Sequence, residues 1–102
     1  MSYPPFSSLA NVVVRATKEE EALSRSAALG RLLLPPPEGV RVLGPAAAAV
    51  ARLKNEYRYQ MLIKASTRKK LALVLSNLRA FAHAEKWNPT ALAIDVDPMT
   101  LL

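Results

Sequence analysis

The segment EYRYQMLIKASTRKK, residues 56–70, has the pattern of a strand that leads directly into a helix. In its first part, Tyr59, Met61 and Ile63 point to one side of an extended chain, and mainly polar residues point to the other. Ser66 or Thr67 then offers a hydroxyl of the kind that caps a helix N-terminus. The segment therefore predicts a strand over 57–64 and a long helix directly after it.

The residues before this segment predict a first strand and a first helix. The β-branched run over 9–15 is typical of a strand. The residues Thr17–Glu20 have the spacing of a capping box, which predicts the start of a helix. That helix is expected to run to about Leu33, because the prolines at 35–37 cannot continue it.

The rest of the chain predicts two more strands and completes the second helix. Residues 40–43 indicate a strand that Gly44-Pro45 breaks, and 46–51 are expected to form a helical turn or a wide loop. Apolar residues at helical spacing over 71–82 indicate the buried stripe of the second helix. Alternation over 92–96 predicts the last strand.

The order strand, helix, strand, strand, helix, strand is that of a split β-α-β fold, a ferredoxin-like α+β two-layer sandwich. Both helices would cover one face of the sheet, and residues 1–102 would form a single domain. The other face would stay open. It is expected to carry Asn11, Arg15, Arg41, Arg58, Gln60, Lys64, Asp95 and Asp97.

Composition excludes several classes of protein. The chain has 102 residues and no cysteine, so disulfide bonds and thiolate zinc sites are ruled out. No apolar run approaches the roughly 20 residues that span a bilayer. The N-terminus lacks the pattern of a signal peptide, so we expect the cytoplasm.

The positive charge is concentrated in one part of the sequence. The net charge is +6, and residues 52–70 hold seven basic residues against Glu56, which also gives +6. Such a patch favours a polyanionic partner, although a solvated surface is the alternative. The basic residues, which we take as candidate binding residues, are Arg52, Lys54, Arg58, Lys64, Arg68, Lys69 and Lys70.

Motifs for catalysis or for a cofactor are not found in the sequence. The glycine spacing over 39–44 resembles a phosphate loop but continues with Pro45 instead of lysine. Asp95 and Asp97 could share one face of a strand, but surface pairing with arginine is the expected role. His83 has no partner ligand nearby in sequence. We therefore predict no enzyme activity, no metal and no cofactor for this chain.

Several short phrases, in a fixed order, resemble one known family. They are YPPF at 3–6, RVLGPA at 41–46, ARL at 51–53, YRYQMLIKA at 57–65 and DVDP at 95–98. Together they resemble the C-terminal domain of PriA, the primosomal replication-restart DNA helicase. The resemblance implies that this chain is a domain excised from the C-terminus of a larger helicase. Residues 3–6 would then pack poorly here.

The resemblance also implies partners. The family's C-terminal domain is linked to branched or single-stranded DNA and to the acidic tail of the single-stranded-DNA-binding protein. The tail contacts lie partly at the start of the second helix, which here carries Arg68, Lys69 and Lys70. Three cations there oppose the helix dipole, and an anion would reverse the sign of that interaction.

Two other functions remain open at the level of sequence. The chain could be a stand-alone RNA- or ribosome-binding module of the same fold. It could also be an internal scaffold that braces the helicase core of the parent chain.

Overall fold

The structure is a computed structural model that describes residues 8–53 and 55–96, with only the backbone course given for 48–53. In chain order the elements are β1 (Ser8–Ala16), α1 (Glu19–Leu32), β2 (Val40–Leu53), β3 (Glu56–Ala65), α2 (Arg68–Ala84), a 3-10 turn (Pro89–Ala91) and β4 (Leu92–Val96).

The four strands form one antiparallel sheet in the order β2-β3-β1-β4. Strand β3 therefore lies between β1 and β2, which is the arrangement that defines a split β-α-β unit. Both helices pack on the same face of the sheet. The predicted α+β, ferredoxin-like fold is confirmed.

The core lies between the helices and one face of the sheet. Alternate residues of β1 are buried, because successive side chains of a strand point to opposite faces. The predicted stripe of α2 is also confirmed, with Phe81 only partly buried. The largest fully buried apolar side chains are Leu29, Met61, Ile63, Leu71, Leu78, Val12 and Val14.

The predicted capping box at Thr17–Glu20 is wrong. Helix α1 begins at Glu19, and its N-cap is Lys18, which makes no capping bond with its side chain. The three glutamates at 19–21 still suit this end, since a helix N-terminus attracts negative charge. Charge in the first turn therefore stands in place of a capping hydroxyl.

The predicted break at Gly44-Pro45 and the predicted helical turn or wide loop over 46–51 are also wrong, because β2 continues through these residues to Leu53. The pairing of β2 with β3 shifts register between Leu43 and Ala46 and again between Ala47 and Arg52. Gly44 adopts a φ of 100°, and a side chain there would meet the carbonyl oxygen of Gln60. The Gly-Pro pair thus produces an irregularity within the strand and not its end.

Two predictions fall outside the described residues. The packing of residues 3–6 and the position of Asp97 are therefore not tested by the structure. Asp95 is described and is an exposed residue of β4, opposite Asn11 of β1.

A tight turn at Gly39 joins the connection after α1 to the start of α2. Gly39 has a φ of 81°, and its carbonyl oxygen accepts a hydrogen bond of 2.8 Å from the backbone N–H of Ser66. A Cβ atom at this position would lie 2.6 Å from Ser66 Oγ and 2.7 Å from Lys70 Nζ. Both the backbone angle and the crowding therefore require glycine.

Replacing Gly39 by alanine should destabilise the fold. A left-handed conformation costs a residue with a Cβ atom about 1–2 kcal/mol, and the crowding adds to that cost. Denaturant unfolding of wild type and Gly39→Ala measures the effect. Equal midpoints for the two proteins would contradict this account of the turn.

Tyr59 should titrate at unusually high pH. Burial raises the pKa of Tyr59 above 10.0, and the Glu19 carboxylate, which accepts a 3.3 Å hydrogen bond from the phenol, raises it further. The neutral phenol is therefore favoured in the folded state, so its contribution to stability is present below pH 10 and is lost as pH rises through the folded pKa. In Glu19→Gln the pKa of Tyr59 should fall. The Tyr59 titration is isolated by subtracting the ultraviolet titration curve of a Tyr59→Phe variant from that of the protein with Tyr59, both for wild type and for Glu19→Gln. An equal midpoint in the two difference curves would rule out the Glu19 contribution.

Candidate nucleic-acid interface

The open face of the sheet brings basic residues of different strands together in directly opposed pairs. In the β1–β3 register Arg15 lies opposite Arg58, and in the β2–β3 register Arg41 lies opposite Lys64. Each pair lies on the face away from the helices. Because like charges directly across a strand pair are destabilising, this arrangement requires an explanation beyond folding.

The start of α2 lies at the same end of the sheet as Arg41 and Lys64. Thr67 is the N-cap, as one of the two predicted candidates, and its hydroxyl accepts a 3.1 Å bond from the backbone N–H of Lys70. The first turn of the helix contains no acidic residue. The exposed side chains of Arg68, Lys69 and Lys70 thus lie at the positive end of the helix dipole, which is a favourable environment for an anion.

Lys70 also has a structural role that the sequence did not indicate. Its Nζ donates a 3.2 Å hydrogen bond to the backbone carbonyl oxygen of Glu38. The bond joins the connection before β2 to the first turn of α2. It also places the Lys70 ammonium close to Gly39.

The structure thus divides the predicted binding residues into separate groups. We call Arg41, Lys64, Arg68, Lys69 and Lys70 the β3-end cluster: Arg41 and Lys64 lie on the open face near the carboxyl end of β3, and Arg68–Lys70 begin the helix that follows it. Arg58 lies six residues from Lys64 along β3, which corresponds to about 20 Å. Lys54 lies outside the described residues, and for Arg52 only the backbone position, opposite Tyr57, is described.

Arg15 and Arg41 were not among the predicted binding residues, although their place on the open face was predicted. Their alignment with Arg58 and Lys64 depends on strand register, which local sequence patterns do not give. Arg15 and Arg58 are each half-buried. Their Nε atoms are shielded from solvent and have no hydrogen-bond partner in the described part of the chain.

The aromatic side chains among residues 8–96 lie away from this face. Trp87 packs against the core in a T-shaped contact with Phe81 at 5.8 Å between ring centroids. The Arg25 guanidinium lies 5.3 Å from the centroid of the Trp87 ring. A cleft of about 400 Å³ opens between Trp87, α2 and β4. Trp87 therefore serves the core and is not a platform on the open face.

The described residues contain neither a metal-binding cluster nor a membrane-spanning helix. No group of three or more histidine or acidic side chains there could hold a metal ion. None of the helices in that part of the chain is both long and apolar enough to cross a bilayer.

The fold and these side chains define a small α+β domain with a positively charged sheet end. The chain belongs to the family described as the primosomal protein N C-terminal domain, which it matches over residues 1–99. This match confirms the resemblance found in the sequence. It covers a C-terminal domain and no helicase core.

Similar proteins come from several bacteria. The replication restart protein PriA of Rickettsia felis is 33% identical over 101 residues, which cover 93% of this chain and 14% of that protein. PriA of Synechocystis sp. is 32% identical, and the match covers 99% of this chain and 12% of that protein. The probable replication restart protein PriA of Deinococcus radiodurans is 35% identical, and the match covers 94% of this chain and 10% of that protein. The chain thus spans only about a tenth to a seventh of these relatives.

A solved structure shares the fold without sharing the sequence. The de novo designed protein Foldit4 superimposes with a TM-score of 0.65 and 10% identity, covering 87% of this chain and 93% of that one. At this identity the likeness shows the fold alone.

Lys69 and Lys70 should differ in their effect on stability although they are neighbours. Methionine at either position removes one cation from the helix N-terminus, which is favourable by about 0.3–1 kcal/mol. Only Lys70→Met also loses the bond to Glu38, so it should be less stable than Lys69→Met by about 0.5–1 kcal/mol. Thermal and denaturant unfolding of the two variants provide the comparison. Equal stability would show that the Lys70 bond does not contribute to folding.

Proposed function

We propose that this chain is the non-catalytic C-terminal domain of a PriA-like replication-restart helicase and binds branched or single-stranded DNA through the β3-end cluster. The observation that carries the proposal is the concentration of cations at one end of the sheet. Arg41 and Lys64 are opposed across two strands there, and α2 begins there with exposed Arg68 and Lys69. Phosphate oxygens would accept bonds from these side chains, beside the positive end of the helix dipole.

The acidic tail of the single-stranded-DNA-binding protein would use the same chemistry. Its carboxylates are acceptors for guanidinium and ammonium groups, as phosphates are. We propose that the tail engages the start of α2, so that DNA and tail compete for Arg68 and Lys69. The replication-restart role also implies the cytoplasm as the compartment.

The family match makes the stand-alone RNA- or ribosome-binding module less favoured. The relatives are named as replication restart proteins and not as ribosomal or RNA-binding proteins. A role as a brace for the helicase core of the parent chain predicts no binding of DNA or peptide by the 102-residue chain. Binding measurements on this chain therefore distinguish the three.

Salt dependence of DNA binding tests the proposal. In Arg68→Gln/Lys69→Gln, where the Lys70 bond is retained, the slope of log K against log salt concentration should become less steep. Each lost phosphate contact should reduce its magnitude by about 0.7 for a single strand and 0.9 for a duplex. Fluorescence anisotropy with a forked DNA and with an acidic tail peptide measures both ligands.

A control variant separates specific contacts from net charge. Arg31→Gln/Arg79→Gln also removes two positive charges, but from exposed positions on the helices. It should bind almost as the wild type does. Equal loss in both variants would show that only net charge matters, and unchanged curves in the first variant would exclude the start of α2 as the site.

A further inference from the structure

The Arg15–Arg58 pair is a costly feature that folding alone does not explain. Two guanidinium groups lie directly opposite each other in the central pair of strands, where like charges repel. Within the described part of the chain, neither arginine forms an ion pair with a carboxylate. Their shielded, unpartnered Nε atoms add an unsatisfied donor on each side.

The acidic residues near the pair neutralise it only in part. Glu56 lies on the same face, two residues before Arg58, and with Arg15 lines a cleft of about 200 Å³. Glu21 and Arg25 also line this cleft, but they form an ion pair of 3.7 Å with each other and leave its net charge unchanged. Two arginines and one glutamate leave a charge of +1 at this end. An anion can therefore bind here, but more weakly than at the β3-end cluster.

The surface between the two charged ends is mainly apolar. Leu43 lies opposite Leu62, and Val13 opposite Gln60. Leu43 is 44% exposed, although it is a large apolar side chain in a strand. This strip offers apolar contact area to sugars and to unpaired bases. The described residues of the strip include no aromatic ring on which a base could stack.

The shape and charges of the face fit one DNA strand better than a duplex. Arg58 and Lys64 are about 20 Å apart on a single strand of the sheet, so the two anion-binding points lie along one line. A DNA strand with B-form spacing of about 3.4 Å per phosphate covers this distance in about six nucleotides, and an extended strand needs fewer. The carboxylate of Asp95 on β4 would repel phosphates. The DNA strand would therefore lie over β1, β3 and β2 and not over β4.

We propose that the Arg15–Arg58 pair is a second phosphate-binding point, which together with the β3-end cluster holds a single DNA strand along the open face. This inference rests on the proposed function, since it supplies the path of the DNA and the preference for a single strand. The apolar strip between the two points contacts sugars and bases without reading their sequence.

Binding of oligothymidylates of two to twelve nucleotides tests this path. Wild-type affinity should rise with length until both points are bridged, at about six nucleotides or fewer, and then level off. Arg15→Gln/Arg58→Gln should lose this rise and should reduce the magnitude of the salt slope on the longer oligomers by up to about 1.4. Its binding to dinucleotides should be nearly unchanged, because the β3-end cluster is intact.

Four controls keep the outcomes distinct. Arg31→Gln/Arg79→Gln should retain the full length dependence at the same net charge. A blunt duplex of twelve base pairs should lose little affinity in Arg15→Gln/Arg58→Gln, and poly-L-glutamate reports whether the pair prefers carboxylates. Thermal unfolding at low salt should find this variant folded and at least as stable as wild type, because the opposed charges are removed.

The results separate this inference from the proposed function. Loss of single-strand binding in the Arg68→Gln/Lys69→Gln variant but not in Arg15→Gln/Arg58→Gln supports the β3-end cluster and overturns the second point. Equal weakening of duplex and single strand, or an effect on poly-L-glutamate alone, also overturns it. If the wild-type chain binds no DNA, the proposed function fails, and the path fails with it.

Discussion

The antiparallel register between β1 and β3 is the constraint on which the rest of the structure depends. It pairs nine consecutive residues, from Ser8 with Ala65 to Ala16 with Tyr57. A slip by one residue would turn every buried side chain of a strand to the open face. The burial of Val12 and Val14 against the helices therefore fixes, at the same time, which basic side chains meet on the other side. The core and the charged face are two results of a single alignment.

The parts of the fold that the sequence predicted well are those with strong periodicity. The alternation around Met61 and Ile63 and the helical spacing of Leu71 and Leu78 each have one reasonable interpretation, because the burial of either stripe dominates the local energetics. Residues 44–53 have no such pattern. Four alanines bury little area on either face, so the partner β3, and not local preference, determines that they are extended.

The candidate site was less predictable, because its geometry depends on contacts that are distant in sequence. Basic residues at the start of α2 could be found from composition, and the structure shows them exposed. The opposition of Arg15 and Arg58 joins residues 43 positions apart and requires the register. The bond from Lys70 to Glu38 spans 32 positions and depends on the turn at Gly39. Neither contact follows from a local pattern, so only the folded chain brings these charged groups together.

The turn at Gly39 has a consequence for how this domain can evolve. The Lys70 ammonium occupies space that a side chain at position 39 would need, and Ser66 closes the same space from the other side. Positions 39 and 70 are therefore linked: a lineage that replaces the glycine would accept a strained backbone and would also have to move the Lys70 side chain. The start of α2, with its three exposed cations, is in this way coupled to a turn in a different part of the chain.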